Sequence, residues 1–363
     1  MASKFQRFND LLIIHSLDVY GFSQQEVDRL SALLRQADQE IRTAILSLEV
    51  DVPLDSAGYL KLLKNTKAIE KAYRKIFNEE IDALLKVFIK EEKDYYNNLL
   101  DNELSEYADI KKDKRNQSDI LNEKIYLDNG EVLEIALLFD SIMEGRLNNL
   151  ISSIDNGYQN KLSLREIADK LVGNRSLNYR NGLNSRYYNN LDANLKTVLT
   201  NISNNISAYT MNKNGDIVRG YRWDAILDGK TSDICLNLNG GIWYFDNTRS
   251  TLPYEIYPPA HYRCRSGISY IFFDWKTLGL DDTPENRELF PKIKQPVESL
   301  GDWFQRQSEV IQKSILGTTR YKMWKDSNMN GSEFFDLIMN KNTMRRYTIE
   351  ELIERGVDIP KIY

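Results

Sequence analysis

Cysteine and histidine are almost missing from this chain, with two of each in 363 residues. That scarcity excludes a disulfide-stapled scaffold and confines any cluster of soft metal donors to one place. Cys235, His261 and Cys264 share one short segment, whereas His15 stands apart near the start. Long apolar runs are missing as well. The best of them, Val132 to Phe139, is interrupted by Glu134, and all fall short of the ~20 residues that cross a bilayer, so no membrane span is expected. Met1 to Leu12 carries Lys4, Arg7 and Asp10 and has no apolar core ahead of small residues, so no secretory leader is expected and the site of synthesis and assembly should be a cytoplasm. Nor is there an excess of positive charge. The 48 Lys and Arg against 53 Asp and Glu leave −5, which argues against a chain that holds nucleic acid over its whole surface. Residues 161–230 run the other way, with eleven basic against six acidic side chains, a pattern that suits either a solvated surface or a local face turned toward DNA.

What is present is the composition of a soluble globular protein, 42% hydrophobic and 28% charged, long enough for two or three domains whose cores need no staple. The first half reads as helix. Phe22-Ser23-Gln24-Gln25-Glu26-Val27 has the form of a capping box with a hydrophobic staple and predicts a helix start at Ser23. Val27, Leu30, Leu34, Ala37, Ile41, Ala44, Ile45 and Leu48 then recur at three- and four-residue steps, up to a break at Pro53. Ile69, Tyr73, Ile76, Phe77, Leu84, Leu85, Phe88, Tyr95 and Leu99 carry the same period onward, which predicts an unusually long helix or a helical hairpin. Its aromatic stripe suits core packing or a partner helix. Lys111 to Arg115 reads as a solvated linker. Helices are expected from Val132 to about Leu150, from a second capping box at Ser163 and Glu166 to Gly173, and along the stripe Leu191, Leu195, Val198, Ile202, Ile206 and Tyr209, after Asn-rich sequence from Asn174.

At Asn214-Gly215-Asp216 the pattern changes. Ile217 to Ile226, Ile242 to Phe245 and Ile268 to Phe273 read as short strands, the last with Ile268, Tyr270 and Phe272 on one face. A Pro-rich crossover, Leu252-Pro253 to Pro258-Pro259, joins them. From Pro296 the chain returns to helix. The expected class is α+β, mostly α: long N-terminal helices, then a small α+β domain with a short antiparallel sheet, then a helical C-terminal tail. The expected divisions are 1–115, 116–210, 211–280 with the Cys/His motif, and 281–363.

The most specific stretch runs from Trp223 through Asp228, Thr231 and Cys235, continues through Leu238-Asn239-Gly240-Gly241, and closes on Pro258-Pro259-Ala260-His261-Tyr262-Arg263-Cys264-Arg265-Ser266. It resembles the phage Mu F-like head morphogenesis family, the minor head proteins, at Trp223, Asp228, Thr231, Cys235, Gly240, His261, Cys264 and Arg265. Downstream, Trp303, Gln307, Gly317 and Arg320 resemble the tail of that family, and the two regions cover about two fifths of the chain, Tyr209 to Gly356. The resemblance implies a structural component of a tailed-phage head near the portal, acting in capsid assembly, DNA packaging or early DNA delivery. It implies the portal or other capsid proteins as partners, contact with packaged DNA, assembly in the host cytoplasm and residence in the virion, with no catalytic role. Two positions depart from it. Ser266 stands where a further Cys is usual, and Lys230 where an Arg is common, which keeps the charge and loses the bidentate fork.

The chemistry of the cluster has two readings. Cys235, His261 and Cys264 are soft and borderline donors suited to zinc, with Asp228 or Asp233 as a fourth ligand, or with an open position as in catalytic sites. That reading leads to the alternative function, a zinc-dependent hydrolase or nuclease-like effector. In the other reading no cofactor is bound: the cysteines are small buried groups or a thiol pair, and His261 hydrogen-bonds Asp228 or a backbone carbonyl. No Ser/His/Asp triad can be assembled around a single eligible histidine. Asp228-Gly229-Lys230-Thr231 has the residue types of a phosphate loop without its glycine frame, so Asp228 is expected to cap a short helix beginning near Thr231. Trp223, Trp243 and Tyr244 should form the core of the small sheet.

Overall fold

The computed structural model describes residues 4–47, 53–173, 182, 184–246, 250–252, 254–291, 300–340, 345–357 and 359. The expectations for Leu48, Asn174, Pro253 and Pro296 lie outside the described residues. The class is the expected one, mostly helical with a few short antiparallel sheets.

Two long antiparallel helices form the frame, α1 (Lys4–Leu46) and α2 (Ser56–Leu104), about 65 and 74 Å long at a rise of about 1.5 Å per residue. Val27, Leu30, Leu34, Ala37, Ile41 and Ile45 are buried as their spacing predicts, and Asp55 caps α2 by accepting from the Gly58 N–H. The helix start at Ser23 is not found, because α1 runs straight through it. The Ser23 hydroxyl donates to the Tyr20 carbonyl, and Glu26 pairs with Arg29 instead of reaching back to the backbone. The residues upstream explain why: Phe8, Leu12 and Val19 continue the apolar face and are buried, so tertiary packing overrides a local stop signal.

The linker read at Lys111 to Arg115 is solvated at Lys111, Lys112 and Lys114, which are exposed, but not throughout. Asp113 is buried and ion-paired to Arg115, whose guanidinium also donates to Glu123 and Asn205 and lies 3.8 Å over the Tyr209 ring. After α3 (Gln117–Leu121) comes a hairpin the periodicity did not reveal, β1 (Lys124–Tyr126) against β2 (Val132–Glu134), turned at Asn129-Gly130 with Gly130 at φ +81°. Helix α4 therefore begins at Ile135, not Val132, and runs to Gln159. In α5 (Leu164–Val172) the capping box of Ser163 and Glu166 forms as expected, and Gly173 ends it at φ +87°. Helix α6 (Ser185–Lys213) is central, with Leu191, Leu195, Val198, Ile202 and Ile206 buried among α1, α2 and α4.

Strands β3 (Val218–Asp224), β4 (Ile242–Tyr244) and β5 (Gly267–Phe272) make an antiparallel sheet in the order β4-β3-β5, and α7 (Asp233–Leu238) fills the connection from β3 to β4. Gly220 is required where β3 meets β4, since a Cβ there would stand 2.1 Å from the Trp243 carbonyl oxygen. Strand β5 does not alternate between core and solvent; all six of its residues are buried. Tyr270 and Phe272 pack on Phe8 of α1, and Ile271 packs with Ile242 and Tyr244 on the other face. The outer edge of β5 is closed by α1, where the Asn9 amide accepts from the Tyr270 N–H at 3.0 Å and donates to its carbonyl at 3.3 Å.

The tail holds α8 (Pro284–Leu289), α9 (Leu300–Gln305), α10 (Glu309–Asp326), α11 (Gly331–Ile338), the pair β6 (Met339–Asn340) and β7 (Arg345–Arg346), and α12 (Ile349–Glu354). One hydrophobic core extends from Phe8 to Phe290 and so crosses the divisions at 115, 210 and 280. A second, built on Phe304, Leu316, Trp324, Phe334 and Leu352, belongs to the tail but takes in Leu236 of α7. A third lies at the far end of the long helices, around Ile41, Leu62, Leu150 and Ile167. Among the described residues no helix is long and apolar enough to cross a membrane.

Candidate functional site

Cys235, His261 and Cys264 come together. Ser232 caps α7 by accepting from the Cys235 N–H, which fixes the first helical turn and turns the Cys235 thiol inward. The other two residues sit in a tight turn before β5, in which the Cys264 N–H donates to the His261 carbonyl and Arg263 takes φ +58°, a left-handed value unfavourable for a side chain with a Cβ. Helix α6 holds that turn in place. The Thr197 hydroxyl accepts from the Arg263 N–H, the Thr200 hydroxyl donates to the Cys264 carbonyl, and the Arg263 side chain pairs with Asp192.

The two sulfurs are 3.6 Å apart, and His261 Nε2 stands 3.1 Å from Cys235 Sγ and 2.7 Å from the Ser232 hydroxyl. The other ring nitrogen, Nδ1, lies 2.7 Å from the Tyr262 carbonyl. A carbonyl only accepts, so Nδ1 carries a proton and Nε2 is the nitrogen turned to the thiols. Burial opposes ionisation of Cys264, yet hydrogen bonds from Cys235 and His261 and the charge of the ring bring its pKa well below the ordinary thiol value. The Cys235 thiol is pushed up by its hydrogen bond to Cys264 and by burial. His261 is raised although burial works against its charge, because the Cys264 sulfur and the Tyr262 carbonyl favour the protonated ring. The cluster can thus share a proton between sulfur and imidazole or give it up to a soft cation.

Asp228 is not part of that cluster, and it caps no helix; Ser232 does, and α7 begins at Asp233 rather than near Thr231. Asp228 instead takes the Arg265 guanidinium on both oxygens, at 2.8 and 2.6 Å, and that bond holds its carboxyl down to about 2. The Thr231 hydroxyl closes the intervening turn, accepting from the Asp228 N–H and donating to the Ile226 carbonyl. Asp233 is engaged by Arg346 of β7, so neither aspartate is placed as a fourth ligand. Nor does His261 bond Asp228. The carbonyl alternative is the one observed.

Trp223 is fully buried in the sheet beneath this segment, with Tyr244 also buried and Trp243 half-buried. Gly240, at φ +76°, donates its N–H to the Trp223 carbonyl. The downstream residues gather in the tail core. Trp303 packs at its margin, Gly317 breaks α10 at φ +73°, and Arg320 donates to the Tyr347 carbonyl. They reach the Cys/His segment only indirectly, through Leu236, the Asp233–Arg346 pair and the contact of Gly229 with Ser314.

A cavity of about 20 Å³ opens beside Cys235, His261 and Ser266, walled by Lys230, Arg263 and Arg265. A larger one, about 570 Å³, lies between the β1–β2 hairpin, α6 and the Pro-rich crossover, lined by Arg115, Glu123, Asn205, Tyr209 and Tyr257. Sequence reasoning missed it together with the hairpin that forms its wall. It also missed Ser232, although a Ser-Asp pair ahead of Ile234 is itself a helix-start signal. Against family models, curated proteins and solved structures, the chain finds no match.

Proposed function

We propose that this chain is a minor head protein of a tailed bacteriophage, a structural component placed near the portal and acting in capsid assembly, DNA packaging or early DNA delivery. One observation carries the reading. The residues that resemble the head morphogenesis pattern are bonded in two adjoining groups, Cys235 with His261 and Cys264, and Asp228 with Arg265, and the cavity beside the first is about 20 Å³. Such a volume holds about one water molecule. That volume has no room to enclose a substrate for hydrolysis, which supports an architectural role.

Other features agree with assembly. Leu11, Ile14 and Leu17 are exposed along one side of α1, an apolar surface of the kind that partners cover, and the portal or another capsid protein is the proposed partner. Contact with packaged DNA is proposed for the basic excess of residues 161–230. Of the basic side chains in 161–230, Lys196 and Arg222 are taken up by Asp192 and Asp224. The proposed location is the virion head, reached after assembly in the host cytoplasm.

Mass spectrometry of purified heads tests the proposal, with the chain expected among the low-copy components; its absence from heads refutes the reading. In a pull-down with the portal protein, Leu11→Ser/Ile14→Ser/Leu17→Ser should lower capture roughly ten-fold or more while the helical signal is unchanged. Equal capture by the variant removes α1 as the docking surface.

A further inference from the structure

We infer that Cys235, His261 and Cys264 bind one zinc ion, which pins α7 to the turn ahead of β5, with a water molecule as fourth ligand. This goes beyond the head-protein reading and does not depend on it.

Three independent features support the site. The first is spacing. The two sulfurs and a ring nitrogen all lie within 4.8 Å of one another, and the sulfurs are 3.6 Å apart. Two thiolates at about 2.3 Å from a tetrahedral zinc stand about 3.8 Å apart, so the sulfur pair need open by only a few tenths of an ångström to take the ion. The second is the orientation of the ring. Zinc-binding imidazoles commonly donate their outer N–H to a carbonyl or carboxylate, which fixes the tautomer and aims the other nitrogen at the metal. His261 does this through Nδ1 to the Tyr262 carbonyl, leaving Nε2 on the side of the thiols. The third is the cavity of about 20 Å³ that adjoins both Cys235 and His261. It is large enough for one water and too small for more, which suits a fourth ligand where no carboxylate reaches.

Charge and chemistry select the ion. Two thiolates cancel the charge of a divalent cation, and one borderline nitrogen beside two soft sulfurs favours zinc over the hard, oxygen-seeking cations. Lys230, Arg263 and Arg265 around the cavity oppose a bare dication but suit two thiolates and a neutral complex. On binding, the metal replaces two protons held by the two thiols and the ring, which pass to solvent, and two metal–sulfur bonds and one metal–nitrogen bond form. The ion then joins α7 to a turn that α6 already anchors through Thr197 and Thr200.

The test uses the full chain, produced with zinc in the medium and purified under a reductant that does not chelate. Elemental analysis should find about one zinc per chain. After removal of the metal, titration with Co(II) should give the visible bands of a tetrahedral site and thiolate-to-cobalt charge transfer. Cys264→Ser and His261→Gln should each lose both signals. Folded, reduced protein without zinc and without a cobalt spectrum overturns the inference, as does an intact mass showing a Cys235–Cys264 disulfide in place of two thiols. So does wild-type metal binding by either variant. Should the variants fail to fold, thiol alkylation of the wild type decides: both cysteines should be protected until a chelator is added, and equal labelling with and without chelator overturns the site.

Discussion

Arg146 offers the sharpest test of what holds the helical frame together. Its side chain is fully buried where α4 meets α1 and α2; Nη2 donates to Asp38 at 2.6 Å and to Glu70 at 2.8 Å, and Nε reaches both oxygens of Glu70 at 3.1 and 3.2 Å. Burial opposes the charge, but the two carboxylates hold the guanidinium more firmly protonated than usual. Arg146→Met fills much of the same volume and leaves two buried carboxylates without a cation. Asp38 keeps donors in Asn184 and Tyr188, so the larger share of the loss falls on Glu70. Removing one partner of a buried pair costs about 3–5 kcal/mol, whereas replacing the whole network by apolar groups is often close to neutral. The unfolding free energy read from the urea transition of α1, α2 and α4 should therefore fall by that amount in Arg146→Met, at an unchanged slope. Adding Glu70→Met and Asp38→Asn should restore most of it, with a coupling of roughly 2 kcal/mol or more in the cycle. If the single variant lies within about 0.5 kcal/mol of the parent, the network is not stabilising in the way described.

At Gly220→Ala the new methyl would collide with the Trp243 carbonyl, and the sheet should lose about 2 kcal/mol or more, read as faster hydrogen exchange in β3 and β4; unchanged exchange would mean that the strands part at little cost. The Asp228–Arg265 pair gives a pH dependence. Because the folded carboxyl is depressed to about 2, its stabilisation is complete above the ordinary carboxylate pKa of about 4 and is lost as pH falls toward about 2. Thermal melts across that window should show an acid limb that shrinks in Asp228→Asn, and an identical limb in the variant would assign the acid loss to other groups.

The sequence made the framework legible wherever burial follows a regular period. The stripes of α1, α2 and α6, apart from the exposed Ile76, and the capping box of α5 needed only spacing to find, because each rests on local chemistry that tertiary contacts reinforce. Where local and tertiary demands diverge, the local signal misled. Ser23 has the form of a helix start, yet the buried run from Phe8 to Val19 carries the helix through it. The hairpin at Lys124–Glu134 was hidden because three-residue strands are too short to show alternation, although Asn129-Gly130 marked its turn. Charged residues on apolar stripes were readable in retrospect: Asp38 follows Ala37 in the stripe of α1, Glu70 lies between Thr66 and Tyr73, and Arg146 continues the run of Phe139, Ile142 and Met143. Three mismatches on three helices, with signs that cancel to within one charge, are the sequence trace of the buried network.

The Cys/His segment divides in the same way. That Cys235, His261 and Cys264 would meet could be inferred from scarcity, since no other soft donors were available to pair with them. Which groups would hold them could not, because those groups are brought in by the fold: the Tyr262 carbonyl through the left-handed Arg263, the Thr197 and Thr200 hydroxyls from a helix more than sixty residues upstream, and Ser232 from the start of α7. Asp228 and Asp233 illustrate the limit. Both had the right chemistry for a ligand and the right proximity in sequence, and each is claimed by an arginine, Arg265 just ahead of β5 and Arg346 in β7. A carboxylate held by a guanidinium fork must give up charge-assisted hydrogen bonds to reach a metal, and here the fork also ties a turn or the tail to the sheet. The fourth position is thereby left to a small ligand from the cavity, a consequence of how the chain secures its own loops.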